Sequence, residues 1–151
     1  MRTRGHAGFS IVELIIVLAI LMTVSAIAIP NLRTAMNSAR NARSVADIHS
    51  ISAMIYGYAA ANNAQFPNSL ADIECDQMKD AWGNPYQYLN LTTASAGLAR
   101  VDRFNVQINV VFDLYSLGPD GLSSQKITDA TSQDDIIWAS DGSYIGLAEL
   151  Y

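Results

Sequence analysis

The longest apolar stretch of the chain runs from Phe9 to Ile29 and contains one charged residue, Glu13. A helix of these 21 residues would be roughly 30 Å long, about the thickness of the hydrocarbon core of a bilayer. A carboxylate within such a segment costs roughly 2.5–3.5 kcal/mol on insertion, so a chain that carries one usually has a use for the charge. The pattern therefore predicts a membrane-spanning helix over residues 9–29.

From Pro30 onward the pattern becomes amphipathic, because apolar residues recur at spacings of three and four as far as about Ala61. We therefore expect an amphipathic half of the same helix over residues 30–61, with a kink at Pro30, which lacks a backbone N–H. The apolar positions assigned to the face that packs on a core are Leu32, Met36, Ala39, Ala46, Ile51, Met54, Ile55 and Tyr58. Three arginines near the start of this half could meet lipid phosphates or an acidic neighbour, or could simply be solvated.

Residues 62–151 have the composition of a small globular head. Ser69 is a candidate N-cap for a short helical turn from Leu70 to Glu74. Residues 86–91 have strand composition, and the strict alternation of apolar and polar residues from Phe104 onward predicts a half-buried strand over residues 105–116. The predicted fold class is α+β, with a long N-terminal helix packed on a small antiparallel sheet. Residues 118–135 would form an acidic loop of this head.

A short basic segment, residues 1–8, precedes the apolar stretch and carries Arg2 and Arg4. Positive charge in this position keeps that end in the cytoplasm, so the head would lie on the opposite side of the membrane. The residues Gly8-Phe9-Ser10-Ile11-Val12-Glu13 resemble the processing motif of the type IV prepilin family, Gly-Phe-Thr-x-x-Glu, with serine in place of threonine. The resemblance implies a pilin-like fold, cleavage after Gly8 by a prepilin peptidase, and N-methylation of Phe9.

The same resemblance assigns assembly roles to three residues. It implies that the helix stays in the bacterial inner membrane until it is extracted into a filament, that Glu13 meets the new amine of Phe9, and that Pro30 marks a kink or local melting. The physics agrees, because a carboxylate four residues from a positive amine lies about one helical turn away, and paired charges are tolerated in apolar surroundings. Alternatively, Glu13 would merely extend towards the membrane surface.

An ordinary secretory signal peptide would give a different product. Cleavage near Ala26-Ile27-Ala28 would release a soluble secreted binding domain that begins near Ile29. The charge of Glu13 within the stretch argues against this alternative.

Three segments of the head carry a second resemblance. They are Trp82-Gly83-Asn84-Pro85-Tyr86, Asp113-Leu114-Tyr115-Ser116-Leu117-Gly118-Pro119-Asp120-Gly121 and Asp135-Ile136-Ile137-Trp138. In this order they are similar to motifs of the major pseudopilins of type II secretion. The resemblance implies a structural, non-enzymatic subunit of a periplasmic filament. Its partners would be further copies of itself, other pseudopilins, the prepilin peptidase and an inner-membrane assembly platform. A type IV pilus subunit, acting in adhesion, twitching or DNA uptake, is the alternative.

The acidic loop is a candidate calcium site. Calcium prefers hard oxygen ligands, and several acids on one loop repel each other unless a cation intervenes. The pseudopilin resemblance implies a calcium ion held by the Leu117 carbonyl, by Asp120 and by Asp134 or Asp135, with Ser123 as a weaker candidate. A solvated acidic loop is the alternative. This chain departs from the family pattern, because Asp-Ile-Ile-Trp is one residue short and further residues, Ala139 to Tyr151, follow Trp138.

Composition narrows the function further. The formal net charge is −5 and would become −7 once Arg2 and Arg4 are removed, which disfavours nucleic acid as a partner. Cys75 is the single cysteine, so no intrachain disulfide can form. Neither His6 nor His49 belongs to a plausible catalytic group, and no nucleotide-binding or zinc motif is present, so we predict no enzymatic activity.

Overall fold

A computed structural model describes residues 9–95 and 97–151 of the chain. Helix α1 runs from Ile11 to Ala61, and the four strands are β1 (Gln87–Asn90), β2 (Phe112–Ser116), β3 (Ile136–Ala139) and β4 (Tyr144–Leu147). The chain divides into two compact units, one ending at Ser38 and the other running from Ala39 to Tyr151. The predicted α+β fold, with one long N-terminal helix and a small antiparallel sheet, is confirmed.

The first unit consists of the first part of α1. Every side chain from Phe9 to Ser38 is exposed, including every apolar residue of the predicted membrane span. The helix continues through Pro30, and the hydroxyl of Thr34 donates a hydrogen bond to the Pro30 carbonyl at 3.1 Å. Among the described residues, α1 is the one helix long and apolar enough to cross a membrane.

The sheet of the second unit is an antiparallel meander in the order β1-β2-β3-β4. Its register places Tyr88 opposite Leu114, Leu114 opposite Trp138, and Trp138 opposite Ile145. Successive residues of a strand point to opposite faces, so these four residues share one face of the sheet.

The main core lies between that face and the second half of α1. The helix residues that are buried are Ser44, Ile48, Ile51, Ser52, Ile55 and Ala59. The three isoleucines belong to one cluster with Phe112, Leu114, Ile136 and Trp138, and the rings of Phe112 and Trp138 stack with centroids 4.1 Å apart. Ile137 and Ala139 of β3 pack into a second, smaller cluster with Ile108, Ile127 and Ala148. Strand β3 therefore separates two hydrophobic clusters.

Two predictions about packing were wrong. Five of the eight positions assigned to the core-facing side of α1 are exposed, namely Leu32, Met36, Ala39, Ala46 and Met54. The predicted strand over residues 105–116 is present only as β2, because Asp102 Oδ1 accepts hydrogen bonds from the N–H groups of Phe104 (2.8 Å) and Val106 (2.9 Å). This side-chain turn replaces strand pairing, and it leaves Phe104 and Val106 69% and 59% exposed.

The last part of the chain adds two strands that the sequence reasoning did not assign. β3 contains three of the residues of the Asp-Ile-Ile-Trp segment, and β4 pairs with it. The backbone N–H of Ala148 donates to the Asp135 carbonyl at 2.9 Å and continues this pairing. Residues beyond Trp138 therefore complete the sheet.

Candidate functional site

The processing motif begins at the edge of the described residues. Gly8 lies outside them, and Phe9, the predicted methylation site, is 81% exposed just before α1. Glu13 Oε2 accepts a hydrogen bond from the backbone N–H of Ser10 at 3.3 Å, and Ser10 Oγ accepts one from Val12 at 3.3 Å. These reciprocal contacts form a capping arrangement at the start of the helix.

Sequence reasoning missed this role of Glu13, although the Ser-x-x-Glu spacing signals it. A carboxylate in the first turn also interacts favourably with the positive end of the helix dipole. Glu13 therefore has a local use in the unprocessed chain. Its predicted pairing with the Phe9 amine stays a prediction, as does the assembly role of Pro30.

The first two head motifs that carry the pseudopilin resemblance contact each other. The carboxylate of Asp80, which precedes Trp82, accepts hydrogen bonds from the N–H groups of Trp82 (3.0 Å) and Asn84 (2.8 Å) through Oδ1. Its Oδ2 accepts one from the Ser116 hydroxyl at 2.5 Å. The Asn84 side chain in turn donates to the Gly118 carbonyl at 2.9 Å. We call this network of Asp80, Asn84, Ser116 and Gly118 the turn brace.

The turn brace is connected to α1. The N–H of Ala81 donates to Ser44 Oγ at 3.4 Å, and the Tyr86 hydroxyl donates to Asp47 Oδ2 at 2.9 Å. Burial, followed by the hydrogen bond to Asp47, raises the pKa of Tyr86 well above its usual value. The two motifs are therefore structural: they hold the turn before β1 and the loop after β2 against the helix.

Arg100 is the centre of a buried polar cluster. Its side chain is almost fully buried, and Nη2 lies 2.7 Å from Asp135 Oδ2. Nη1 donates to Ser123 Oγ at 3.0 Å, and the guanidinium carbon lies 3.9 Å from the centroid of the Tyr115 ring. The backbone N–H of Arg100 donates to Asp113 Oδ2 at 2.7 Å, and the Asn109 amide donates to Asp113 Oδ1 at 2.9 Å. We call Arg100, Asp113, Tyr115, Ser123 and Asp135 the arginine cluster.

Burial is the largest influence on the pKa of each of the two acids in this cluster. It raises the pKa of Asp135 to about 6, against the opposing effects of the hydrogen bond from Ser123 and the charge of Arg100. Burial also raises the pKa of Asp113, against the hydrogen bonds from the Arg100 N–H and Asn109. The Asp135 carboxylate lies within ion-pair distance of the guanidinium, with Oδ2 2.7 Å from Arg100 Nη2.

The five predicted calcium ligands fall into two groups. Asp120 is exposed, its Oδ1 accepts a hydrogen bond from the Leu122 N–H at 2.8 Å, and its own N–H donates to Asp134 Oδ2 at 3.4 Å. Leu117 directly precedes Gly118, which packs against the Asp134 backbone. A Cβ at Gly118 would lie 2.5 Å from the Asp134 carbonyl oxygen, so the Leu117 carbonyl is close to this pair of aspartates. Asp135 and Ser123 contact Arg100 instead, and Ser123 Oγ also donates to Asp135 Oδ2 at 2.6 Å.

As one set, these five residues do not fit a calcium ion. A guanidinium already occupies the position beside Asp135 and Ser123, and like charge would repel a second cation there. Within residues 9–95 and 97–151, no three His, Cys, Asp or Glu side chains are placed to hold a metal ion together. Asp134 Oδ1 is buried without a hydrogen-bond partner among those residues. The calcium prediction therefore stays a prediction, narrowed to Asp120, Asp134 and the Leu117 carbonyl.

Comparison with known proteins agrees with the motifs at both ends of the chain. Residues 3–29 match the family described as the prokaryotic N-terminal methylation motif, which is the class of prepilin-like N-termini. Over most of its length, the chain is also similar to the type II secretion system core protein G of Pseudomonas aeruginosa. The two are 28% identical in an alignment that covers 86% of this chain and 95% of that protein. No solved structure gives a significant match.

The predicted resemblance is thus confirmed. The methylation motif and the relative support a subunit of the pseudopilin or type IV pilin-like kind, and its N-terminal apolar helix fits a single-pass inner-membrane anchor. Similarity to a structural protein is also consistent with a non-enzymatic role.

Proposed function

We propose that this protein is a structural subunit of a type II secretion pseudopilus, which polymerises through its N-terminal helix and helps to drive protein export across the outer membrane. The observation that carries the proposal is the exposed apolar surface of α1 from Ile11 to Ile29, which lies within the segment that matches the methylation motif. Such a surface requires a bilayer or the helices of other copies around it. The similarity to core protein G of a type II secretion system supports secretion as the process.

In this proposal the prepilin peptidase removes residues 1–8 and methylates Phe9, and the helix remains in the inner membrane with the head in the periplasm. An assembly platform and other pseudopilins then receive the subunit, and the apolar helices of successive copies pack into the filament core. Cleavage gives Phe9 a positive amine, and the Glu13 carboxylate is available one turn away to pair with this amine in its own or a neighbouring subunit. Pairing of these charges in apolar surroundings would set the register between subunits.

The capping contacts of Glu13 shape the experiment that tests this role. Glutamine can replace glutamate in a capping box, so Glu13→Gln retains the cap and removes only the charge. We expect Glu13→Gln and Glu13→Ala to be cleaved and methylated largely as the wild type, yet to form few filaments. Ser10→Ala, which removes the other half of the cap but keeps the charge, should still assemble. Mass spectrometry of the mature subunit and electron microscopy of sheared filaments measure the two steps.

Normal filaments from Glu13→Gln together with failure of Ser10→Ala would show that the cap, rather than the charge, matters. The N-terminal residue of the mature chain provides a further check. Phe9 is expected, whereas a start near Ile29 would indicate ordinary signal-peptide cleavage and a secreted domain.

A second assay separates the secretion pseudopilus from the type IV pilus. The full chain is expressed in a strain that lacks its own major pseudopilin, and in one that lacks its major pilin. We expect it to restore export of secreted enzymes in the first strain and to leave twitching motility absent in the second. Restored twitching without export would favour the type IV pilus subunit.

A further inference from the structure

The second unit buries acidic side chains that need a compensating charge. Asp113 and Asp135 are 1% and 0% exposed, and they lie at the start of β2 and directly before β3. An ionised carboxylate in such a position is costly unless it is paired and hydrogen-bonded. Either a bound cation or a basic side chain of the chain itself can provide the pairing.

Arg100 provides it from a different part of the sequence. The guanidinium contacts Asp135 and Ser123, the arginine backbone N–H contacts Asp113, and only 3% of the residue is exposed. Charge-assisted hydrogen bonds of this kind are about twice as strong as neutral ones. The planar group also stacks over the Tyr115 ring, which a metal ion would not do.

The backbone around Arg100 fixes the acidic loop as well. The N–H of Val101 donates to the Gln125 carbonyl at 3.0 Å, and the N–H of Ile127 donates back to the Val101 carbonyl at 3.0 Å. The Gln125 side chain donates to the Ala99 carbonyl at 2.8 Å. Residues 99–101 and 125–127 therefore run side by side, with Arg100 directed into the cluster that anchors Ser123.

We propose that the Arg100 guanidinium is an internal cation that orders the acidic loop in place of bound calcium, so that the head is stable without calcium. It holds the segment before β2, the loop and the start of β3 together at a single buried point. This role of Arg100 in the stability of the head does not depend on the function of the filament.

The first test uses the full chain in detergent micelles. The melting temperature is measured by circular dichroism with millimolar calcium and with a chelator in excess. A ligand that binds only the folded state must raise the melting temperature, so we expect the two values to agree. A clear rise with calcium that is lost in Asp120→Asn would overturn the proposal and place the ion at Asp120 and Asp134.

Substitutions of Arg100 test whether its charge or its bulk matters. Arg100→Met keeps an apolar stem of similar length and leaves Asp135 buried and unpaired, so we expect the melting temperature to fall by about 10 °C. Arg100→Lys keeps the charge, although it loses the forked geometry, and should fall by roughly half as much. If Arg100→Met were as stable as Arg100→Lys or more stable, Arg100 would act by packing alone and the proposal would be wrong. If both variants fail to fold, the comparison of calcium and chelator in the wild type still decides.

Discussion

The two halves of α1 have the same secondary structure but opposite surroundings. Before Ser38, each apolar side chain of the helix is exposed and its side-chain hydrogen bonds reach only residues within one turn. After Ala39, one face of the helix is buried against the sheet, and Ser44 and Asp47 bond to residues more than 30 positions away. The first half leaves its apolar side chains exposed, whereas the second half contributes three isoleucines to the core of the second unit.

Two isoleucines of this helix should give the largest contrast. Ile51 is 0% exposed and Ile20 is 57% exposed. Ile51→Ala removes packed side-chain atoms from the core and should cost about 2–5 kcal/mol of unfolding free energy. Ile20→Ala should leave the unfolding free energy of the subunit in detergent unchanged while it weakens filament formation. Urea unfolding followed by tryptophan fluorescence measures the first quantity, and a large loss for Ile20→Ala would remove the contrast.

The turn brace should give the next largest effect. Asp80→Ala leaves the N–H groups of Trp82 and Asn84 and the Ser116 hydroxyl without their acceptor, which should cost about 1–3 kcal/mol. Asp76→Ala is the matched control, because Asp76 is exposed and its carboxylate accepts a hydrogen bond from the side chain of the neighbouring Gln77. Equal stability of the two variants in thermal unfolding would mean that the brace does not stabilise the head.

Two glycines should respond to alanine with opposite signs. Gly118 has φ of +63° and packs on the Asp134 carbonyl, so Gly118→Ala should destabilise the head by about 1–2 kcal/mol. Gly57 lies within α1, and a methyl group added there would meet no described atom within 4 Å. Gly57→Ala should therefore stabilise the helix by about 0.5–1 kcal/mol. Denaturation midpoints measure both changes. A stabilising Gly118→Ala would contradict the close contact described for the loop.

The pH dependence of stability should show the smallest effect. Because the folded state raises the pKa of Tyr86 above its ordinary value of 10.0, the tyrosine's contribution is complete below that pH and is lost as the pH rises above it. Tyr86→Phe should therefore flatten the decline in stability at alkaline pH. Asp47→Asn should flatten it less, because burial, the larger cause of the shift, remains. Identical slopes for the wild type and Tyr86→Phe would contradict this assignment.

Sequence patterns predicted the elements whose cause is local. The end of α1, the turn at Ser69 and strand β1 follow from periodicity and turn residues, and the structure agrees to within a few residues. The alternation from Phe104 to Val110 led to a wrong strand prediction, because the Asp102 carboxylate accepts backbone hydrogen bonds and holds this segment in a turn. A period of two indicates where a strand could form, but it does not register a competing side-chain acceptor.

The arginine cluster could not be assembled from the sequence, because the acids that Arg100 contacts lie 13 and 35 positions after it. A weak signal existed, since Arg100 stands between Ala99 and Val101 in a region of otherwise polar loops. The calcium prediction rested on the acids of the loop, whereas the guanidinium that contacts Ser123 and Asp135 comes from outside it. Tertiary packing decides which residue pairs with a buried charge, and sequence patterns do not reveal which distant residues come into contact.

Because the strand order of the sheet follows the chain order, each strand after β1 pairs with the strand directly before it in the sequence. In the chain, α1 is followed by β1 and β2, and β3 and β4 each pair with the strand directly before them. Sheets built from sequential neighbours close short loops and so reach the native topology with little search. A head with this topology needs no long-range strand exchange to complete its sheet, which shortens the time for which an unpaired strand edge is exposed to other chains.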